Sequence, residues 1–154
     1  MGMYKYVKEN WKKPDAVVKK RLKRWRKEGA TKKIKRPTRI DRARELGYKS
    51  KQGVVVARTR VKKGTRKKRK ISGGRRSARS GKKYPRDKSK QRVAEERTTK
   101  KFPNLRVLGS YWVGEDGKHK WFEVILVDPE HEAIKNDKDL KWICKDKEKD
   151  RALR

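Results

Sequence analysis

The stretch LRVLGSYWVGEDGKHKWFEVILVDP, residues 105–129, decides the fold. Two runs rich in aromatic and β-branched residues flank Gly114-Glu115-Asp116-Gly117, the pattern of a β-hairpin. In the second run Phe122, Val124 and Leu126 point one way, and Trp121, Glu123, Ile125 and Val127 the other. Both sets are largely apolar, so this strand is expected at the centre of a sheet or covered on both faces. Asp128-Pro129 ends it, because proline brings no N–H to the ladder. Trp112, Trp121, Phe122 and Trp142 are assigned to the core.

Upstream, GVVVARTRV (53–61) has strand composition. Val55, Ala57, Thr59 and Val61 share one face; Val54, Val56, Arg58 and Arg60 share the other. One face is read as core and the other as turning outward at its end. Around these strands the apolar spacing becomes helical. Tyr4, Val7 and Trp11 form a stripe over residues 3–13. Val18, Leu22 and Trp25 form a second over 15–29, with Asp15 as cap and Gly29 as stop. A short helix is expected over 38–47, with Thr38 and Asp41 as a shortened capping box and Gly47 at its end. Another is expected over 87–102, capped by Asp87 or Ser89. Residues 130–137 form a short helix at best, and 140–144 pack back on the sheet. Residues 31–37 read as extended and basic. The expected fold is α+β: a small mixed β-sheet with short helices, long basic extensions and a loop. It is expected as one domain over 1–154. Within it lie a basic helical part over 1–52, the sheet segments 53–61 and 104–128, and a basic loop over 62–86.

The charge is segregated. Residues 1–90 hold 37 Lys and Arg against 6 Asp and Glu, whereas residues 91–154 hold 15 against 13. Like charges at this density oppose compaction and call for a polyanion. The loop KKGTRKKRKISGGRRSARSGKK (62–83) has 12 Lys and Arg, no acid and four glycines. It has too few apolar side chains to order alone and is expected to order on RNA. The irregular, non-repeating basic half favours a folded RNA site. Non-specific binding of DNA or chromatin is the alternative.

Other classes find little support. There is no run of about 18 apolar residues for a membrane span, and Cys144 is the only cysteine, which excludes an intrachain disulfide. His119 and His131 lack the partners of a nucleophilic triad or a metal site. GGRRSARSGKK lacks the spacing of a phosphate-binding P-loop. No catalytic residue, metal or other cofactor is expected, and neither a membrane partner nor a homo-oligomer.

Three segments carry a wider resemblance: MGMYKYVKENWKKP (1–14), RPTRIDRARELGYKSKQGVVVARTRVKKGTRKK (36–68), and QRVAEER (91–97) with LRVLGSYWVGEDGKHKWFEVILVDPEHEAIKND (105–137). The chain resembles the fifteen-e family of large-ribosomal-subunit proteins of archaea and eukaryotes. The resemblance implies a non-enzymatic, cytoplasmic structural component of the large subunit. It would bind and stabilise folded large-subunit rRNA and touch neighbouring ribosomal proteins. Members of that family continue in a Gly-rich basic tail past the position of Arg154, so the resemblance says less about C-terminal contacts here.

Charge and resemblance together nominate the RNA-facing residues. In the N-terminal part they are Lys12, Lys13, Lys19, Lys20, Arg21, Arg24, Arg26, Lys35, Arg36 and Arg39. The segment after it adds Arg42, Arg44, Tyr48, Lys49 and Lys51. From the strand and loop come Arg58, Arg60, Lys62, Lys63, Arg66, Lys67, Lys68, Arg69, Arg75, Arg76, Arg79, Lys82 and Lys83. Tyr4, Tyr6, Trp11 and Trp25 interleave with cations and are weighed between base stacking and packing.

Overall fold

The structure is a computed structural model that describes residues 2–12, 16–64, 73–74 and 88–145. Its centre is a four-stranded sheet in the order β1-β2-β4-β3, formed by Thr31–Ile34, Val54–Lys62, His119–Val127 and Arg106–Glu115 respectively. The α+β expectation holds. The sheet is antiparallel at every pairing, not mixed, and it has a fourth strand. That strand is β1, in the stretch read only as extended. Thr31 lies opposite Thr59, and Ile34 opposite Val56.

The 105–129 hairpin forms as expected, with a tighter turn. Gly114 and Glu115 are still paired in β3, with Trp121 and Lys120. The reversal is made at Asp116, whose carboxylate accepts from the N–H groups of Lys118 and His119 at 2.8 and 2.6 Å. β4 is an inner strand, buried from Trp121 to Val127.

Helices cover both faces. On one face lie α2 (Ala16–Lys27) and α3 (Ile40–Glu45), with α1 (Met3–Lys12) packed on α3. There Trp25, Ala43, Tyr48 and Val56 close over Tyr111, Val113, Trp121 and Ile125. On the other face lies α4 (Lys90–Lys101), whose N-cap is Ser89, accepting from the Arg92 N–H at 3.1 Å. Its Ala94 packs with Val61 and Phe122. Two helical turns, α5 (Glu132–Lys135) and α6 (Trp142–Lys145), close one end of the sheet with Ile134, Leu140 and Ile143 on Val127. Residues 140–144 thus pack back on the body, as a helical turn. Both faces of β2 are covered through Thr59, and the Arg58 face turns outward at its end as expected, with Arg60 half-buried and Lys62 exposed.

Several local expectations differ from the structure. Trp112 and Trp142 are 37% and 41% exposed, unlike buried Trp121 and Phe122, because no element among the described residues covers the strand or the helical turn there. The Thr38 side chain makes no cap on α3. Its hydroxyl donates to Glu123, and its N–H donates to the same carboxylate at 2.9 Å. The helix begins at Ile40 with Arg39 in the cap position, so Thr38 stands one residue too early and its donors go to Glu123. Gly29 does not adopt the left-handed backbone of a helix stop, whereas Gly47 does, at φ +88°. Asp15, and residues 65–72 and 75–87 of the expected basic loop, lie outside the described residues.

Candidate nucleic-acid interface

Three buried or half-buried carboxylates sort the cations of the basic half. Glu28, just beyond α2, binds Arg58 at 2.6 Å and Lys32 at 3.1 Å, with Arg24 at 3.6 Å. Burial pushes the Glu28 carboxyl up, and the bonds from Arg58 and Lys32 outweigh that, leaving it below its ordinary value. Glu123, fully buried on β4, accepts from Thr38 and from the Tyr111 hydroxyl at 2.7 Å, with Arg58 at 3.9 Å. Burial, with the Glu123 charge beside it, pushes the Tyr111 hydroxyl well above its usual range. Asp137 binds Lys51 and, at 3.3 Å, Lys49. The Lys51 bond leads in holding its carboxyl well below the usual range.

Arg58 is thereby taken out of the nominated surface. It is buried, paired with Glu28, and stacked over the Trp25 ring at 4.1 Å. Strand alternation puts it on the α2 face beside Val56, where it serves the interior. Tyr48 is also buried, in the cluster under α3. Both were nominated for RNA, and the fold gives each an internal role.

Other nominated cations are exposed or half-buried and already hold acids, rings or a carbonyl. Arg26 pairs with Asp116 at 3.3 Å and Arg42 with Glu45 at 2.5 Å. Lys49 reaches Asp139 at 2.6 Å, and half-buried Lys63 reaches Glu115 at 2.8 Å. Half-buried Arg39 lies 3.2 Å from Asp41 and stacks on Trp11, with its guanidinium carbon 5.2 Å from the ring centroid. Arg44 stands 5.7 Å from the Tyr4 ring centroid, and Arg60 donates to the Arg26 carbonyl at 2.6 Å. Exposed ion pairs of this kind exchange readily, so such a side chain can turn to a phosphate.

A last set has no carboxylate partner among the described residues. It comprises Lys19, Lys20 and Arg21 on α2, Lys35 and Arg36 between β1 and α3, and Lys62 at the end of β2. All are exposed. Lys23 and Lys33 share their state, though they were not nominated individually. α2 holds its cations outward because Leu22 and Trp25 lock its narrow apolar stripe: Trp25 is 3% exposed, and its ring centroid lies 6.2 Å from that of Trp121. At the same contact Leu22 approaches Gly114, where a Cβ would stand only 3.2 Å from Leu22 Cδ2. The nominated side chain of Lys12 and residues Lys13, Arg66, Lys67, Lys68, Arg69, Arg75, Arg76, Arg79, Lys82 and Lys83 lie outside the described residues.

The carboxylates were the overlooked part. The basic half has only six acids, and Glu28, Asp41 and Glu45 each hold cations. An isolated acid in so basic a stretch is itself the signal, because it marks which neighbours are spoken for. Among the described residues no cluster of His, Cys, Asp and Glu suits a metal ion, and no helix is long and apolar enough to cross a membrane.

Comparison with known proteins identifies the family. The family model described as Ribosomal L15 matches residues 2–154. The Large ribosomal subunit protein eL15 of Natronomonas pharaonis is 57% identical, over 99% of this chain and 81% of that protein. The same-named protein of Halobacterium salinarum is 55% identical over the same shares. That of Methanococcoides burtonii is 54% identical over 93% of this chain and 76% of its own length. The chain belongs to the family described as Ribosomal L15, the fifteen-e proteins of the large ribosomal subunit.

Proposed function

We propose that this chain is a structural, non-catalytic component of the large ribosomal subunit that binds and stabilises folded large-subunit rRNA, in the cytoplasmic ribosome. The single observation that carries the rRNA reading is the set of exposed cations on α2 and between β1 and α3 with no acid partner among the described residues. Unpaired at this density they repel one another, and phosphates remove that cost. The twelve Lys and Arg of 62–83 would add further phosphate partners. Most contacts would position the protein on the backbone, with few reading bases. The near-neutral strands β3 and β4 would serve as body and touch neighbouring ribosomal proteins.

Competition tests the reading. The full chain is bound to large-subunit rRNA in the presence of random duplex DNA at about 0.15 M salt. Preference for the rRNA is expected, and the log of the binding constant should fall steeply with log salt, at a slope of about −7 to −9 if about ten phosphates are neutralised. Equal affinity for the two would overturn the rRNA reading in favour of a non-specific DNA-binding protein.

A further inference from the structure

We propose that the groove between α1 and α3 takes one unpaired nucleobase of the bound RNA, which rests on the rRNA reading above. The groove is lined by Lys8, Trp11, Arg39, Asp41, Arg42 and Glu45. Two of its side chains are incompletely satisfied. Arg39 Nη2 and Asp41 Oδ2 hold each other at 3.2 Å. Arg39 Nε and Asp41 Oδ1 are buried and have no hydrogen-bond partner. The Asp41 side chain is fully buried. Buried polar groups are almost always paired, so an orphan donor beside an orphan acceptor is an unfinished site.

The chemistry of the orphans selects the ligand. A phosphate offers only acceptors and would face the Asp41 carboxylate with like charge. A nucleobase offers an acceptor next to an N–H donor on its Watson–Crick edge, as in O6 and N1–H of guanine. The acceptor matches Arg39 Nε, and the donor matches Asp41 Oδ1. Unpaired RNA bases are commonly held by stacking on aromatic rings or guanidinium planes with hydrogen bonds to that edge. Trp11 supplies a flat aromatic surface in the same groove, with the Arg39 guanidinium beside it over the ring, and the in-plane Arg39 N–H is left for the base edge. At the mouth Lys8 and Arg42 both hold Glu45, and their side chains are 52% and 53% exposed. They are free to swing onto the flanking phosphates, which opens the groove to the buried pair.

The full-length chain is bound to large-subunit rRNA, irradiated for protein–RNA crosslinks, and probed chemically at base Watson–Crick edges. One unpaired nucleotide is expected to crosslink within residues 3–12 and to be protected at that edge. Trp11→Ala should abolish the crosslink and weaken binding about tenfold or more, with the salt slope unchanged. Asp41→Asn should keep the crosslink and the phosphate contacts but lose the edge protection. Tight, salt-dependent binding of the wild type without a crosslink in this segment overturns the groove and leaves the rRNA reading standing. So does unchanged protection in Asp41→Asn. If that variant does not fold, Trp11→Ala decides, since α1 packs on α3 and leaves the sheet intact. Failure of the wild type to prefer rRNA over duplex DNA instead overturns the rRNA reading itself.

Discussion

Arg58 and Arg36 come from the same basic half, and they meet opposite fates. Arg58 is buried between Glu28, Glu123 and Trp25, and it ties β2 to the end of α2. Arg36 is exposed and has no acid within reach among the described residues. Charge alone does not separate them. Position does: strand alternation turns Arg58 inward, where a sparse acid meets it, and the link between β1 and α3 leaves Arg36 outside. Buried Arg58 helps hold the fold together, whereas exposed cations such as Arg36 repel their neighbours.

Breaking the inner set should have the largest effect. Glu123→Ala removes the acceptor shared by Thr38 and Tyr111 and leaves Arg58 with Glu28 alone. Unpairing a buried charge network costs about 3–5 kcal/mol. Denaturant unfolding of the full chain should show a loss of that order. A change near zero would mean that Glu123 is not the anchor of the 35–39 link.

Next comes a backbone position that joins the two halves. Gly53 opens β2 at φ +81°, and its carbonyl accepts from the Asp128 N–H at 2.8 Å. A Cβ there would stand 2.6 Å from Ile134 Cγ1 and 3.1 Å from His131 Cβ. Gly53→Ala therefore combines an unfavourable φ with a clash, and it should cost about 1–3 kcal/mol in unfolding free energy. An unchanged melting curve would show that α5 yields freely, which would loosen the end of the core.

The outer set should respond in the other direction. Replacing Lys19, Lys20 and Lys23 with alanine should leave the unfolding free energy level or slightly raised, because repulsion is relieved. Binding to large-subunit rRNA should become less salt-sensitive, by about 0.7–0.9 in slope for each phosphate no longer neutralised. A marked loss of stability with an unchanged slope would erase the division between inner and outer cations.

How much of this the sequence revealed follows the range of the interactions. The 105–129 hairpin is legible because alternation, turn residues and the Asp-Pro stop lie within one short stretch. β1 is not. TKKI carries two lysines and becomes a strand through Thr59 and Arg58, which lie far along the chain. Thr38 has a plausible local partner in Asp41 and a better one 85 residues away. Trp112 and Trp142 show the same limit, since composition marks a strand or helix but not where its cover ends. At the candidate interface the excess of cations was plain from the sequence, whereas the inward turn of Arg58 and Tyr48 needed the register of the sheet and the packing of α3. The unpaired atoms of Arg39 and Asp41 were invisible, because they arise from α1 laid across α3.

The smallest expected effect lies where inner and outer behaviour meet, at Asp137. Lys51 and Lys49 hold its carboxyl well below the usual value, so the folded state releases that proton more readily than the unfolded chain does. Above the ordinary aspartate pKa of about 3.9 both states are ionised, and the stabilisation is fully present. As pH falls below that, the unfolded chain takes up the proton first, and the advantage is lost progressively until the folded carboxylate also titrates. Asp137→Asn should therefore lower stability slightly near neutrality and flatten this part of the acid decline. The measurement is the pH dependence of unfolding for both chains. Parallel acid limbs would mean that Lys49 and Lys51 belong with the outer cations, free to leave Asp137 for a phosphate at no cost to the fold.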